Sequence, residues 1–93
     1  MKVKVIDYGS KEENKLYYVK YRVSDLETTS LEKLYSKLDE EMEIDSGNLI
    51  ITMYYPPEYF PFGSSEAELR MQDFISREEI EMNIFLSSFL EEN

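Results

Sequence analysis

The order of apolar patterns along the chain predicts an α+β fold with the element order β-β-α-β-β-α. In this fold a four-stranded antiparallel sheet carries two helices on one face. Apolar and polar residues alternate near the N-terminus, a helical spacing follows, and two further extended segments precede a helical C-terminal region. Because 93 residues support one modest core, residues 1–93 are predicted to form a single domain.

Alternation predicts the first two strands. Val3 and Val5 alternate with lysines in residues 2–8, and a second alternating run rich in tyrosine and valine occupies residues 16–23. β-branched and aromatic residues favour strands, and the polar residues 9–14 between the two runs are typical of a turn. We therefore expect these strands to form a β-hairpin.

The first helix is predicted over about residues 30–43. Apolar residues occur there at steps of three and four, namely Leu31, Leu34, Tyr35, Leu38 and Met42. Residues 29–32, Thr-Ser-Leu-Glu, have the spacing of a capping box at the N-terminal end. Residues 45–48, Asp-Ser-Gly-Asn, predict a turn that ends the helix.

Two further strands are predicted on either side of a proline-rich segment. Residues 49–55 are apolar on both faces, which is typical of a central strand, and Pro56 and Pro57 end it. Residues 66–72 alternate between apolar and polar side chains and are predicted as the fourth strand. A helix capped at Ser65 is the alternative, since the segment also favours helix, and the order would then be β-β-α-β-α-α.

The second helix is predicted to begin at another capping box, Ser-Arg-Glu-Glu at residues 76–79, and to continue to the C-terminus. Its apolar residues cover more of the helix circumference than one packing face requires. The residues that give this coverage are Met82, Phe85, Leu86, Phe89 and Leu90, and they make this helix a candidate contact surface.

The composition argues against catalysis and against a bound cofactor. The chain has no histidine and no cysteine, so catalytic triads, thiolate metal sites and disulfides are excluded. Its three glycines are too scattered for a phosphate-binding loop. The alternating acids of residues 39–45 resemble a calcium loop, but Ile44 and Ile50 occupy its glycine and glutamate positions. We therefore predict no enzymatic activity, no cofactor and no metal site.

The charge is strongly negative and unevenly distributed. The net charge is −10, and residues 1–37 contain eight basic and six acidic residues, whereas residues 38–93 contain two basic and fourteen acidic residues. This asymmetry predicts an acidic face that repels nucleic acid and anionic membranes and attracts basic protein surfaces. No apolar run is long enough for a signal peptide or a membrane span, so a cytoplasmic location is predicted.

Five of the acids form a run that we predict to bind a partner: Asp39, Glu40, Glu41, Glu43 and Asp45. They are expected in the last turn of the first helix or just beyond it, where the helix dipole disfavours negative charge. A chain that optimised stability alone would place lysine or arginine there. The alternative interpretation is a solvated face that only increases solubility.

A second candidate binding segment combines an acid with aromatic residues, namely Glu58, Tyr59, Phe60 and Phe62. Three prolines in the same region hold the chain extended. Rigid aromatic side chains beside acids are typical of the anchors of protein interfaces. Alternatively, this segment folds back and closes the open end of the sheet.

Together these features predict a non-catalytic acidic inhibitor or decoy. It would occupy the basic, nucleic-acid-binding surface of another protein and imitate the phosphate charges of nucleic acid. In size and charge the chain is similar to small inhibitors that phages and mobile elements make against host defence, anti-CRISPR proteins among them. The alternative function is a structural subunit or adaptor with an apolar interface, such as a homodimer through the C-terminal helix.

Overall fold

The structure is a computed structural model, and it describes residues 1–11, 16–56 and 67–92. Its elements are β1 (Lys2–Lys11), β2 (Leu16–Ser24), α1 (Thr28–Lys37), β3 (Glu41–Asp45), β4 (Asn48–Tyr55) and α2 (Ala67–Glu92). The order β-β-α-β-β-α and the four-stranded antiparallel sheet confirm the predicted fold class. Within these described segments, neither helix is long and apolar enough to cross a membrane.

The strands lie in the order β1-β2-β4-β3, and each pair of neighbours is antiparallel. β1 and β2 form the predicted hairpin, in which Val5 pairs with Tyr21. β4 is central, as residues 49–55 predicted, and it pairs with β2 on one side and β3 on the other. The register of β1 shifts between Val5 and Asp7, an irregularity that is common in edge strands.

Both helices pack on the same face of the sheet. Tyr21 of β2 and Ile51 of β4 are fully buried, and they share one core cluster with Leu34 of α1 and Leu86 of α2. The remaining members of this cluster are Val19, Val23, Leu49, Met71, Phe74 and Met82. Burial of each large apolar side chain contributes roughly 1.5–3 kcal/mol, so this one cluster holds the sheet and both helices together.

The first helix differs from the prediction at both ends. It ends at Lys37 instead of residue 43, because Leu38 adopts an extended backbone conformation with φ −78° and ψ 129°. Its N-terminal cap residue is Glu27, without a side-chain capping hydrogen bond, so the capping box predicted at residues 29–32 is wrong. The residues after Leu38 leave the helix and form β3.

The turn predicted at residues 45–48 joins two strands instead of ending a helix. Asp45 pairs with Asn48, and the two residues between them have positive φ angles, 52° for Ser46 and 81° for Gly47. Two consecutive positive φ angles define a type I′ hairpin turn, whose twist matches that of the flanking strands. Glycine suits the second position because it adopts this conformation without a steric cost.

The strand predicted at residues 66–72 is wrong, since α2 already begins at Ala67. Met71 and Phe74 of this region are buried in the core at helical spacing. The alternative with two separate helices is also wrong, because α2 continues through residues 76–79 to Glu92. This stretch contains neither proline nor glycine to break it. The predicted element order nevertheless holds, because β3 supplies the fourth strand.

Candidate functional site

The acidic run lies at one edge of the sheet. β3 is the outermost strand beside β4, and five exposed acidic residues lie on β3 or directly before it. We refer to these five residues as the acidic edge: Asp39, Glu40, Glu41, Glu43 and Asp45. The expected position at the end of a helix is therefore correct only for the two residues that follow α1.

Strand geometry aligns three of these carboxylates. Glu41, Glu43 and Asp45 alternate with Met42 and Ile44, and successive side chains of a strand point to opposite faces of the sheet. Met42 packs against the core, so the three carboxylates lie on the face that the helices leave uncovered. Along the strand they recur about every 7 Å, which produces a linear row of negative charge.

Two carboxylates of the acidic edge accept hydrogen bonds from hydroxyl groups. The hydroxyl of Tyr54 lies 3.0 Å from each carboxylate oxygen of Glu41 and donates to that carboxylate. The hydroxyl of Ser46 donates to Oδ1 of Asp45 at 3.4 Å. Because a neutral hydroxyl carries no compensating charge, these hydrogen bonds orient the carboxylates and leave their negative charge in place.

Glu40 experiences two unfavourable effects. Partial burial, together with the neighbouring charge of Asp39, raises the pKa of Glu40 above its ordinary value. Burial and a like charge both disfavour the ionised carboxylate. The acidic edge therefore contains electrostatic repulsion that a neutral side chain at residue 40 would remove.

The uncovered face of the sheet is divided into a basic half and an acidic half. Along one row across the strands, Lys4, Arg22, Ile50 and Glu43 follow one another. Since neighbouring strands are about 4.8 Å apart, the backbones of Arg22 and Glu43 are separated by roughly 10 Å. Lys20 of β2 lines the same depression as Glu41 and Glu43, so β2 brings positive charge close to the inner side of the acidic edge.

A buried cluster of polar groups lies on the opposite, helix-covered face. The hydroxyls of Tyr21 and Tyr55 are 2.9 Å apart and lie 3.3 Å and 3.2 Å, respectively, from Oε2 of Glu78 on α2. Burial, above all, raises the pKa of Tyr55 to about 12, and it raises the pKa of Tyr21 still further. Both phenols are therefore neutral at physiological pH, and they connect the sheet to α2 as hydrogen-bonding groups rather than as bases.

The described residues contain no cluster of metal-binding side chains. Within residues 1–11, 16–56 and 67–92, no group of three acidic side chains converges in a way that could hold a metal ion. The extended backbone explains this for β3, because it separates Glu41, Glu43 and Asp45 instead of folding them around one point.

The second candidate binding segment is not among the described residues. Glu58, Tyr59, Phe60 and Phe62 lie outside the described residues, so both interpretations of that segment remain predictions.

The C-terminal helix exposes different residues from those that its sequence suggested. Met82 and Leu86 are buried in the core, and Phe89 and Leu90 are half-buried, which leaves Phe85 as the one exposed member of the predicted set. Ile80 and Ile84 are far more exposed, at 63% and 61%. Their apolar character was visible in the sequence, but the side of the helix that meets the sheet depends on the tertiary packing.

Comparison with known proteins yields a family and no curated relative. No curated protein matches the chain. The model of one family, described as Family of unknown function (DUF5750), matches residues 2–92, almost the full length. The chain therefore belongs to the DUF5750 family.

Proposed function

We propose that this protein is a non-catalytic, protein-binding module whose acidic edge occupies a basic, nucleic-acid-binding surface of another protein. One observation carries the proposal: Glu41, Glu43 and Asp45 form an exposed row on an edge strand, held in register by β4. A row of fixed carboxylates imitates the regular charge of a phosphate backbone. A flexible acidic tail would have to be ordered on binding, whereas these residues are already part of a sheet.

The charge of the whole chain supports the same type of partner. A net charge of −10 repels nucleic acid directly and accelerates the encounter with a basic protein surface. The acidic edge then gives this attraction an orientation, because the opposite edge of the same sheet carries Lys2 and Lys4. An inhibitor of this kind, similar in size and charge to anti-CRISPR proteins, would act in the cytoplasm on enzymes that bind nucleic acid.

The test compares two triple variants that lose the same number of negative charges. The first combines Glu41→Gln, Glu43→Gln and Asp45→Asn, which removes the row on β3. The control combines Glu32→Gln, Asp73→Asn and Glu81→Gln, which removes three exposed acids from the helices. Any difference between the two variants therefore reports the position of the charges and not their sum.

Each protein is immobilised and used to capture nucleic-acid-binding proteins from a host lysate. The unmodified chain and the control should retain a basic protein at about 50 mM salt and lose it near 500 mM salt, where screening is strong. Double-stranded DNA should compete for the captured protein, and the β3 variant should fail to capture it. Equal capture by the two triple variants, or capture that DNA does not displace, would contradict the proposed function.

A further inference from the structure

Two isoleucines lie largely exposed on the outward side of α2. Ile80 and Ile84 are 63% and 61% exposed, whereas Met82 and Leu86 between and beyond them are buried. Since each residue of a helix advances by about 100°, Ile84 lies roughly 160° around the axis from Leu86. The two isoleucines therefore face away from the core of their own domain, and exposed apolar patches of this kind mark interaction sites.

A groove continues this apolar surface towards β1. The groove has a volume of about 490 Å³, and its lining mixes apolar with polar residues. One wall consists of Met1, Lys2 and Val3, and the other consists of Ser76, Glu79, Ile80, Asn83 and Ile84. The edge of β1 is engaged at Val5 beside this groove, because the backbone N–H of Val5 donates to Oε2 of Glu79 at 2.8 Å. A partner at this edge therefore meets side chains of α2 rather than a free strand backbone.

The charges around the isoleucines indicate which partner fits. Five exposed residues form one stripe along α2, which we call the outer stripe: Arg77, Ile80, Ile84, Ser88 and Glu91. Their spacing of three and four residues keeps them on one side of the helix. The stripe begins with the positive charge of Arg77 and ends with the negative charge of Glu91, and two isoleucines and one serine lie between them.

This arrangement is complementary to itself. When a second α2 lies antiparallel about a two-fold axis at Ile84, the two Ile84 side chains meet and each Arg77 faces Glu91 of the other copy. A parallel arrangement would instead place like charges opposite each other, which is unfavourable. Ile80 then meets the small side chain of Ser88, which permits a close approach of the helices. The overlap of residues 77–91 is about 21 Å long.

We propose that the protein forms an antiparallel homodimer through the outer stripe of α2, with the groove beside Met1 receiving the flank of the second helix. This goes beyond the proposed function, and it is compatible with it. β3 lies at the opposite edge of the sheet from β1, so both acidic edges remain exposed in the dimer. Each dimer would then present two acidic edges to basic partners.

Cross-linking tests the geometry directly. The natural sequence has no cysteine, so Ile84→Cys introduces a single thiol at the two-fold axis. Mild oxidation of the full chain should convert this variant to a disulfide-linked dimer. The linked dimer should keep the circular dichroism spectrum of the unmodified protein. The matched control is Ile44→Cys, which places a thiol at an exposed position of β3. It should remain mostly unlinked under the same conditions.

A charge exchange tests the register, with light scattering or sedimentation as the readout of mass. Arg77→Glu alone and Glu91→Arg alone should each weaken the dimer at least tenfold, since each places like charges together. The double variant should restore it. The proposal is overturned by a chain that stays monomeric up to a concentration of about 1 mM. It is also overturned by a dimer that neither links through Ile84→Cys nor recovers in the double variant.

Discussion

The two edges of the sheet protect their exposed strands in different ways. At β1 the helix α2 lies alongside the strand, and Glu79 accepts a hydrogen bond from the backbone of Val5. At β3 the strand is only five residues long, and Glu41, Glu43 and Asp45 cover it with negative charge. Both arrangements disfavour pairing of the edge strand with a strand of another molecule. The comparison shows that β1 is covered by a helix, whereas β3 keeps its charged side chains exposed on the surface.

The largest effect is expected where α2 anchors the β1 side of the molecule. Leu86→Ala removes a fully buried side chain and should lower the free energy of unfolding by about 2–5 kcal/mol. Ile84→Ala, on the opposite side of the same helix, should change it by less than about 1 kcal/mol, because Ile84 is mostly exposed. Urea titrations at low protein concentration, where self-association does not contribute, would measure both. Equal losses would mean that α2 packs on the sheet through another side.

A smaller loss of stability is expected when the hydrogen bond between Glu79 and the backbone of β1 is removed. Glu79→Ala leaves the N–H of Val5 without its carboxylate acceptor, and the expected loss of stability is about 1–2 kcal/mol. Glu81→Ala is the control, since Glu81 is exposed on the same helix, and a change within about 0.5 kcal/mol is expected. Amide exchange of Val5 should accelerate in the first variant and not in the second. Unchanged exchange in both would show that this carboxylate does not protect the edge.

The difference between the edges also explains which parts of the fold the sequence could predict. The hairpin, β4 and the existence of both helices follow from local periodicity, and these predictions are confirmed. β3 was missed because Met42 continues the helical spacing of Leu34 and Leu38. The contrary signal was present in the chain: residues 41–45 alternate, and Ser46-Gly47 is a two-residue hairpin turn.

Three features of the structure depend on tertiary packing and could not be predicted from local sequence patterns. Residues 66–72 alternate as a strand would, but their helix-favouring side chains and the absence of a breaker allow them to extend α2. The acidic residues were found from charge alone, whereas their alignment in a row depends on the pairing of β3 with β4. Likewise, sequence periodicity could not determine that Ile84 faces outward and Leu86 inward.

Between the two edges, the buried tyrosines should make the fold sensitive to alkali. In the folded state the pKa of Tyr55 lies above the ordinary value of 10, so folding favours the protonated phenol. The contribution of this preference to the free energy of unfolding is fully present below pH 10. It is lost as the pH rises towards about 12, the raised pKa of Tyr55. Unfolding free energy measured between pH 9 and pH 12 should therefore fall. The fall should be smaller in a Tyr21→Phe, Tyr55→Phe double variant, and equal slopes would contradict this origin.

Charge reversal at the acidic edge should affect binding much more than stability. We expect the combination Asp39→Lys, Glu40→Lys, Glu41→Lys and Glu43→Lys to change the free energy of unfolding by less than about 1 kcal/mol, because exposed charges contribute little. Favourable helix-dipole interactions apply only to residues 39 and 40, which follow α1, and loss of the Tyr54 hydrogen bond to Glu41 acts in the opposite direction. Thermal melts and capture of a basic partner, measured together, would test this. Unchanged capture would exclude the acidic edge as the binding surface.

The smallest effect on stability is expected when the charge of Glu40 at the acidic edge is removed. The pKa of Glu40 is raised above its ordinary value of about 4.5 by partial burial and by Asp39, so ionisation of Glu40 is less favourable in the folded state than in the unfolded state. At neutral pH this difference destabilises the fold slightly, and Glu40→Gln should therefore raise the melting temperature a little. Below the ordinary pKa the carboxyl group is protonated in both states, so the gain should disappear as the pH falls. Glu32→Gln, an exposed change on α1, serves as the control for the loss of one charge. A gain that persists at acidic pH, or that the control reproduces, would show that repulsion at the acidic edge is not its cause.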